Sequence, residues 1–309
     1  MCNDTSWILR LQIVAASCLV ACSTSVTTPF SKPVAFDAAS MCSRVVRDAP
    51  LEVPSDLTET LENKKASGNA IADAALQKAA LEIAHAASSE SECLTIFDAG
   101  NRKFAERLEQ DRKELAGQGG FDPSKDKEIL AVQTDLTRLW REDQSARLTY
   151  MRLATEDRTG ADFWAQRRAT AHATHIDAES IRLIKAYSDD YGWIDSKRFG
   201  SPISNHAWIL VQHADRHPNF QADILSRMEP YVEAGETSKK NYAYLWDRVA
   251  VNNDRLQRYG TQPTWVCDSE GDMALKPLEN PAAVNERRAA MGLNTVEAGL
   301  AQMQSDVCR

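Results

Sequence analysis

Apolar side chains recur every three or four positions along most of the chain, which is the spacing of helices with one buried face. The clearest case is residues 69–87, where Ile71 and Ile83 share one side with several alanines. The same periodicity predicts further helices: one ending at Gly117, one starting near Asp126, and others at 161–190, 204–214, 218–234 and 238–253. Two more are predicted near the C-terminus, at 280–292 and at 294–306 with Asn294 as N-cap.

Between residues 256 and 278 the helical period gives way to alternation. Tyr259, Thr261 and Trp265 alternate with other residues, and the run Asp268–Asp272 has the composition of a turn. This pattern is typical of a short β-hairpin. The predicted fold class is therefore mainly α, with a helical N-terminal segment followed by a C-terminal multi-helix domain that carries one short β-hairpin.

The sequence GQGGFDPS, at residues 117–124, is the best candidate boundary within the chain. Glycine and proline interrupt helices, and their clustering favours a connection between structural units. We therefore predict a helical segment at 37–116, to which no role is assigned, and a helical domain at 125–309.

The first residues have the features of an export signal. Arg10 precedes an apolar run, Leu11–Ala21, that is about half the length of a membrane-spanning helix. The run ends in Leu-Val-Ala-Cys at 19–22, which resembles the lipobox of bacterial lipoproteins. The resemblance implies a signal peptide at 1–21, cleavage before Cys22, and acyl chains attached to Cys22 as a membrane anchor.

Residues 22–36 are rich in Ser, Thr and Pro and predict a solvated tether between the anchor and the folded part. Ser23 resembles the sorting signal of outer-membrane lipoproteins, since retention in the inner membrane usually has Asp at that position. We therefore expect a lipid-anchored protein of the outer membrane that faces the periplasm, with the membrane as its partner through Cys22.

Cysteine usage agrees with an oxidising compartment. Seven cysteines are present, and four remain after the signal peptide and Cys22 are set aside. An even number of thiols in an exported chain indicates disulfides, and four cysteines allow three pairings. We favour Cys42–Cys93 with Cys267–Cys308, because each bridge then stays within one half of the chain.

Charge and missing motifs exclude several classes of function. The net charge is −8 and the charged residues are well mixed, without a sustained basic patch, which argues against nucleic-acid binding. The sequence has no serine nucleophile elbow, Walker loop, HExxH pair or glycine-rich phosphate loop. We therefore predict no cofactor.

Six short segments of the C-terminal half occur in a characteristic order. They are WREDQSAR (140–147), YGW (191–193), AWILVQHADRHPNFQ (207–221), YAYLWDRVAVN (242–252), LQRYGTQ (256–262) and NERRAAMGL (285–293). Together they resemble an uncharacterised bacterial family, a domain of unknown function marked by QHAD, DRV and YGTQ boxes, over about residues 137–303. The resemblance implies a shared fold and brings no activity, substrate or cofactor.

Within the third segment, His213 and His217 stand four residues apart, which would place both on one face of a continuous helix. However, Pro218 disfavours helical geometry at His217. A metal site also needs three or four ligands with supporting partners. We therefore predict no metal site here.

The C-terminal half also holds many polar side chains beside apolar residues. They include Gln212, His213, Asp215, Arg248, Tyr259, Gln262, Glu286 and Arg287, and Asp143 and Arg147 stand at ion-pair spacing. Two interpretations remain open. The groups satisfy one another inside the fold, because a buried polar group without a partner is destabilising. Alternatively, some of them converge on a cleft.

The cleft interpretation has two functional versions. In the leading hypothesis, the protein binds an envelope protein or a glycan, with Gln212, Tyr259, Gln262, Glu286 and Arg287 as candidate binding residues. In the alternative, it is a periplasmic hydrolase whose catalytic candidates are His213, Asp215 and Arg248. His213 is then the general base beside a carboxylate, and Arg248 holds an anion. The aromatic residues of this half are predicted to pack in the core.

Overall fold

Helices and one small sheet make up the regular structure of the chain. The computed structural model describes residues 37–43, 50–63, 66, 68–154, 159–268 and 272–308. The predicted signal peptide, the lipidation site Cys22 and the tether lie outside these residues. Among the described residues, no helix has both the length and the apolar character needed to cross a membrane.

The described residues form twelve α-helices and two strands, which confirms the predicted mainly α fold class. The helices are α1 Ala38–Ser43, α2 Ser55–Glu62, α3 Gly68–Ala86, α4 Glu90–Leu115, α5 Lys127–Arg152, α6 Gly160–Tyr191, α7 Ser196–Phe199, α8 Ser201–His213, α9 Pro218–Glu233, α10 Lys239–Asn252, α11 Val284–Ala290 and α12 Val296–Val307. A 3₁₀ turn, Pro281–Ala283, precedes α11. The long helices predicted from periodicity are present within a few residues of their expected bounds.

Short polar side chains fix the starts of several helices by accepting backbone N–H bonds. Asp126 caps α5 and Ser238 caps α10, at the positions where these helices are predicted to begin. At α12 the predicted cap Asn294 is wrong by one residue, because the hydroxyl of Thr295 accepts the N–H bond. The backbone carbonyl of Asn294 instead accepts from Arg288.

Helices α3, α4 and α5 all pack against α6, the longest helix. Phe97 of α4 and Trp164 of α6 are fully buried and meet edge to face, with ring centroids 4.8 Å apart. A Cβ atom on Gly100 would lie 2.6 Å from the carbonyl oxygen of Ala161, so a glycine is needed where α4 approaches α6. Asp37–Arg309 cluster as one compact unit, within which residues 117–124 connect α4 to α5.

The remaining long helices form a second group beside this core. Helix α8 packs against α5 and α6, and α9 packs against α10. Trp193, Phe199 and Ile203, from the stretch that leads out of α6 into α8, are fully buried. This packing brings His213, the last residue of α8, against the side of α5.

The β-hairpin is present but begins later than predicted. Strands β1 Pro263–Cys267 and β2 Met273–Leu275 pair antiparallel. Tyr259 and Thr261, whose alternation suggested a strand, lie instead in a loop whose backbone N–H groups point to the carboxylate of Asp247. The side chain of Asp247, on α10, therefore accepts the backbone hydrogen bonds that a partner strand would otherwise accept.

Both predicted disulfides are confirmed. Cys42 pairs with Cys93 and Cys267 pairs with Cys308, with a Cα–Cα distance of 5.8 Å in each bridge. The first joins α1 to α4 and the second ties the end of α12 to β1. Closing loops of 51 and 41 residues restricts the unfolded chain by about 4 kcal/mol each.

Candidate functional site

The imidazole of His213 contacts a buried carboxylate on α5. Its Nδ1 atom lies 2.8 Å from Oδ2 and 2.9 Å from Oδ1 of Asp143. The Asp143 side chain is fully buried, whereas the His213 side chain is 25 % exposed. The pair therefore extends from the core to the surface at the C-terminal end of α8.

Arg147, one turn after Asp143 on α5, lies against both members of this pair. Its Nε is 2.9 Å from Oδ1 of Asp143 and 2.8 Å from Nδ1 of His213. Two contacts of His213 Nδ1 imply opposite tautomers, since Arg147 Nε can donate only to an unprotonated Nδ1, whereas the ionised carboxylate of Asp143 accepts only from a protonated one. Because both carboxylate oxygens lie within 2.9 Å of Nδ1, we assign the proton to Nδ1, and Arg147 Nε then donates to Oδ1 of Asp143. In the neutral ring, Nε2 then carries a lone pair, and the hydrogen bonds of the His213 ring within the described residues all involve Nδ1.

The surroundings of Asp143 keep it ionised. Burial acts to raise its pKa, but the hydrogen bond and charge of His213 and the charge of Arg147 outweigh burial and hold the pKa below its ordinary value. Gln144 adds a further hydrogen bond, from Nε2 to Oδ2 of Asp143 at 2.8 Å. Asp143 is therefore a fixed negative charge behind the imidazole.

Asp177 of α6 completes the group, and no sequence pattern pointed to it. Its Oδ1 accepts from Nη2 of Arg147 at 2.5 Å, and its side chain is 21 % exposed. Burial raises the pKa of Asp177 to about 7, against the charge of Arg147 and with help from Asp143 and Asp215. Its protonated and ionised forms therefore coexist near neutral pH. We call His213, Asp143, Arg147 and Asp177 the His213 cluster.

The carboxylate that pairs with His213 is thus Asp143, and Asp215 has a different partner. Nη1 of Arg248 lies 2.8 Å from both carboxylate oxygens of Asp215. Asn252 and Gln221 approach Oδ1 of Asp215 at 3.3 and 3.4 Å. Arg248 is therefore already neutralised within the fold, which leaves it poorly suited to the role of anion holder.

Gln212, a predicted binding residue, is 5 % exposed and acts through its backbone. Its carbonyl accepts from Nη1 of Arg248 at 3.2 Å and from Nε2 of Gln221 at 3.3 Å. Its own side-chain Nε2 is buried and has no partner among the described residues. The Gln212 side chain is therefore packed inside the fold and is not displayed at the surface.

Tyr259 belongs to a second and separate network. The buried carboxylate of Asp247 accepts from the backbone N–H groups of Arg258 at 2.7 Å, Tyr259 at 3.0 Å and Thr261 at 2.9 Å. The Thr261 hydroxyl adds another bond at 2.9 Å. Burial raises the pKa of Asp247, and these hydrogen bonds oppose the rise. We call Asp247, Arg258, Tyr259 and Thr261 the Asp247 cluster.

The other predicted binding residues surround the same loop. Gln257 bonds to both backbone groups of Gln262, with its Nε2 3.1 Å from the carbonyl and its Oε1 2.9 Å from the N–H. Arg287 Nε donates to the carbonyl of Arg258 at 2.9 Å. Glu286 is exposed. The structure therefore does not gather Tyr259, Gln262, Glu286 and Arg287 around His213.

Arg288, which the sequence did not single out, is the buried arginine of this region, with 2 % exposure. Its Nη1 donates to the carbonyls of Tyr259 at 2.6 Å and Gly260 at 3.1 Å, and its Nε donates to Asn294 at 2.5 Å. A Cβ on Gly299 would lie 2.6 Å from Nη2 of Arg288. The guanidinium is therefore enclosed between α11, α12 and the loop.

Within the part of the chain that the structure describes, no group of three or more His, Cys, Asp or Glu side chains has the geometry to hold a metal ion. His217 immediately precedes α9 and is not part of α8, which ends at His213. Its Nε2 would lie 3.5 Å from a Cβ placed on Gly68, at the start of α3. The two histidines thus do not share one helix face.

Comparison with protein families places the domain in a known group. Residues 131–306, more than half of the chain, match the model of a family of unknown function, DUF6624. The chain belongs to this family. The DUF6624 match includes every member of both clusters. No curated protein and no solved structure shows significant similarity to the chain.

Proposed function

We propose that this DUF6624 protein is a lipid-anchored binding protein of the cell envelope, and that the His213 cluster is its ligand site. One observation carries the proposal. His213, Asp177 and Arg147 are 25 %, 21 % and 32 % exposed, and their hydrogen bonds within the described residues use only Nδ1 of His213, Oδ1 of Asp177, and Nε and Nη2 of Arg147. Behind them Asp143 is sealed and fully bonded.

The open atoms define what such a ligand must offer. Nε2 of His213 and Oδ2 of Asp177 can accept hydrogen bonds and Nη1 of Arg147 can donate one, since the bonds within the cluster use other atoms of these side chains. The surrounding charges nearly cancel, because Arg147 and Arg248 oppose Asp143, Asp215 and a half-ionised Asp177. A neutral ligand with hydroxyl and amide groups, such as a glycan or a peptide, suits this site better than a strong anion.

The envelope location rests on the sequence. The Leu-Val-Ala-Cys run at 19–22 and the apolar stretch before it support export and lipidation. The two disulfides are of the kind that persists in an oxidising compartment. Replacement of Cys22 by Ala tests the anchor: the full chain should then leave the outer-membrane fraction and lose labelling by radioactive palmitate.

Ligand binding is tested with soluble muropeptides released from peptidoglycan. We expect them to stabilise the full chain against heat, since a ligand that binds only the native state raises its melting temperature. The variant His213→Ala should fold and lose this stabilisation. His85→Ala, at the end of α3, is the matched control and should retain it. Equal stabilisation of both variants would contradict the proposed site.

A further inference from the structure

The His213 cluster holds the groups that hydrolysis of an acyl bond requires, and they surround one guanidinium. Resting on the site proposed above, we infer that the cluster hydrolyses uncharged esters or amides. His213 is the general base for water, Asp177 is the general acid for the leaving group, and Arg147 stabilises the oxyanion. This assignment differs from the sequence-based alternative, which paired His213 with Asp215 and Arg248.

The first requirement is a base aimed at solvent. The hydrogen bond from Nδ1 of His213 to the buried carboxylate of Asp143, at 2.8 Å, fixes the tautomer that leaves Nε2 as the basic atom. The negative charge of Asp143 also stabilises the imidazolium that forms when Nε2 takes a proton. Asp143 is thus a positioning residue, and His213 is the catalytic residue.

The second requirement is an acid that keeps its proton near neutral pH. Only Oδ1 of Asp177 is bonded to Arg147, so Oδ2 remains available to a bound molecule. Burial raises the pKa of Asp177 to about 7, which matches the protonation that a general acid needs at physiological pH. Arg147 contacts Asp177 through Nη2 and the His213–Asp143 pair through Nε, so the acid and the base are neighbours on one guanidinium.

The third requirement is a donor for the charge that develops on the carbonyl oxygen. Arg147 uses Nε and Nη2 within the cluster, which leaves Nη1 for another acceptor. Two carboxylates hold this side chain in place, so it donates to the oxyanion without reorganising. The positive charge is thus fixed before the substrate arrives.

The charge of the active form indicates the substrate class. With Asp177 protonated and His213 neutral, the charges of Arg147 and Arg248 equal those of Asp143 and Asp215. The site therefore has no excess positive charge with which to attract an anion. An uncharged acyl group next to the scissile bond fits it best.

The reaction balances without a further reactant. Nε2 of His213 takes a proton from water while the water oxygen forms a bond to the carbonyl carbon, whose oxygen becomes an anion beside Arg147. The carbon–leaving-group bond then breaks as the carbonyl re-forms, and the carboxyl proton of Asp177 passes to the departing oxygen or nitrogen. His213 finally returns its proton through solvent to Asp177.

The test uses the full chain and two uncharged esters, p-nitrophenyl acetate and phenyl acetate. His213→Ala and His213→Gln should each lower kcat/KM by about 100-fold, whereas His85→Ala should not. Asp177→Asn should affect phenyl acetate more than p-nitrophenyl acetate, because p-nitrophenolate departs without a proton. An ester with an anionic acyl group, p-nitrophenyl hemisuccinate, should react more slowly than the acetate.

Equal rates for the wild type and both His213 variants would overturn the catalytic assignment. Equal losses on both esters in Asp177→Asn would overturn the role of Asp177. These outcomes are separable from the ligand-site proposal. Muropeptide binding that depends on His213, without ester hydrolysis, keeps the binding site and rejects catalysis. His213-dependent ester hydrolysis without muropeptide binding supports catalysis and rejects that ligand.

Discussion

The His213 and Asp247 clusters contain similar residue types and differ in how completely their polar atoms are bonded. Around Asp247, three backbone N–H groups and one hydroxyl point at a single buried carboxylate, and α11 supplies two arginines to the same loop. Around His213, the carboxylate of Asp143 is equally buried, but His213, Asp177 and Arg147 are partly exposed, and their bonds within the described residues leave Nε2, Oδ2 and Nη1 unused.

From this difference we infer that the Asp247 cluster contributes to stability and that the His213 cluster is suited to binding. A buried carboxylate that accepts four hydrogen bonds from the fold contributes to stability and offers nothing to a ligand, because its acceptor positions are occupied. In the His213 cluster, a buried and fully bonded carboxylate holds partly exposed side chains in place. Their polar atoms are thus in fixed positions for another molecule. The sequence alone gave both networks the same interpretation, since His, Asp, Arg and Tyr occur in each.

The largest effect is expected from Asp247→Ala. The substitution leaves the N–H groups of Arg258, Tyr259 and Thr261 buried without an acceptor, and each such loss is destabilising. We expect the free energy of unfolding to fall by about 4 kcal/mol. Urea denaturation measures it. Asp223→Ala, which removes an exposed partner of Arg227, is the control and should change stability by less than about 1 kcal/mol.

Arg288→Met is the next most damaging change. Methionine fills much of the volume but leaves the carbonyls of Tyr259, Gly260 and Asn294 without the guanidinium donors. We expect a loss of about 3 kcal/mol in unfolding free energy, measured in the same way. Muropeptide binding should survive, because no member of the His213 cluster contacts Arg288 in the described residues. Loss of binding in a folded variant would show that the two clusters are coupled.

His213→Ala should have a smaller effect on stability and a complete effect on binding. Asp143 loses one hydrogen bond but keeps those from Arg147 and Gln144, so we expect a loss of about 1–2 kcal/mol. Calorimetry with soluble muropeptides should then detect no heat of binding. A loss of stability as large as that of Asp247→Ala, with binding intact, would make His213 a structural residue.

Asp177→Asn should have the smallest effect and a characteristic pH dependence. The folded-state pKa of Asp177 is raised from 3.8 to about 7. The folded protein therefore holds a proton there that the unfolded chain has lost, and wild-type stability falls as pH rises through this window. Asparagine does not titrate, so the variant should gain about 1 kcal/mol relative to wild type between pH ~4 and ~7. Melting temperatures of both proteins, measured across that pH range, test this prediction. A difference between them that does not change with pH would contradict the raised pKa of Asp177.

Much of the fold could be predicted because the signals are local. Apolar periodicity locates α3 and α5, and a capping side chain marks the start of α5 at Asp126. The disulfide pairing followed from keeping each bridge within one half of the chain. The strand predicted at Tyr259 failed because its alternation is local, while the acceptor that decides its backbone, Asp247, comes from another helix.

The site was predicted only in part for the same reason. His213 was identified from its polar segment, and the i,i+4 spacing of Asp143 and Arg147 indicated their ion pair. Their meeting with His213 across 66 to 70 residues depends on how α8 packs against α5. Asp177 lies on an amphipathic helix among other charged residues, and nothing in its neighbourhood distinguishes it from a solvated side chain.

The central claim is that Nε2 of His213 is an open acceptor held in place by Asp143, and ring-nitrogen NMR tests it most directly. The measurement uses ¹⁵N-histidine protein at about pH 9, where an ordinary imidazole is neutral. We predict a His213 ring with its proton on Nδ1 and an unprotonated Nε2, and rapid tautomer exchange once Asp143 is replaced by Asn. A wild-type His213 protonated on Nε2, or already exchanging between tautomers, would contradict the account.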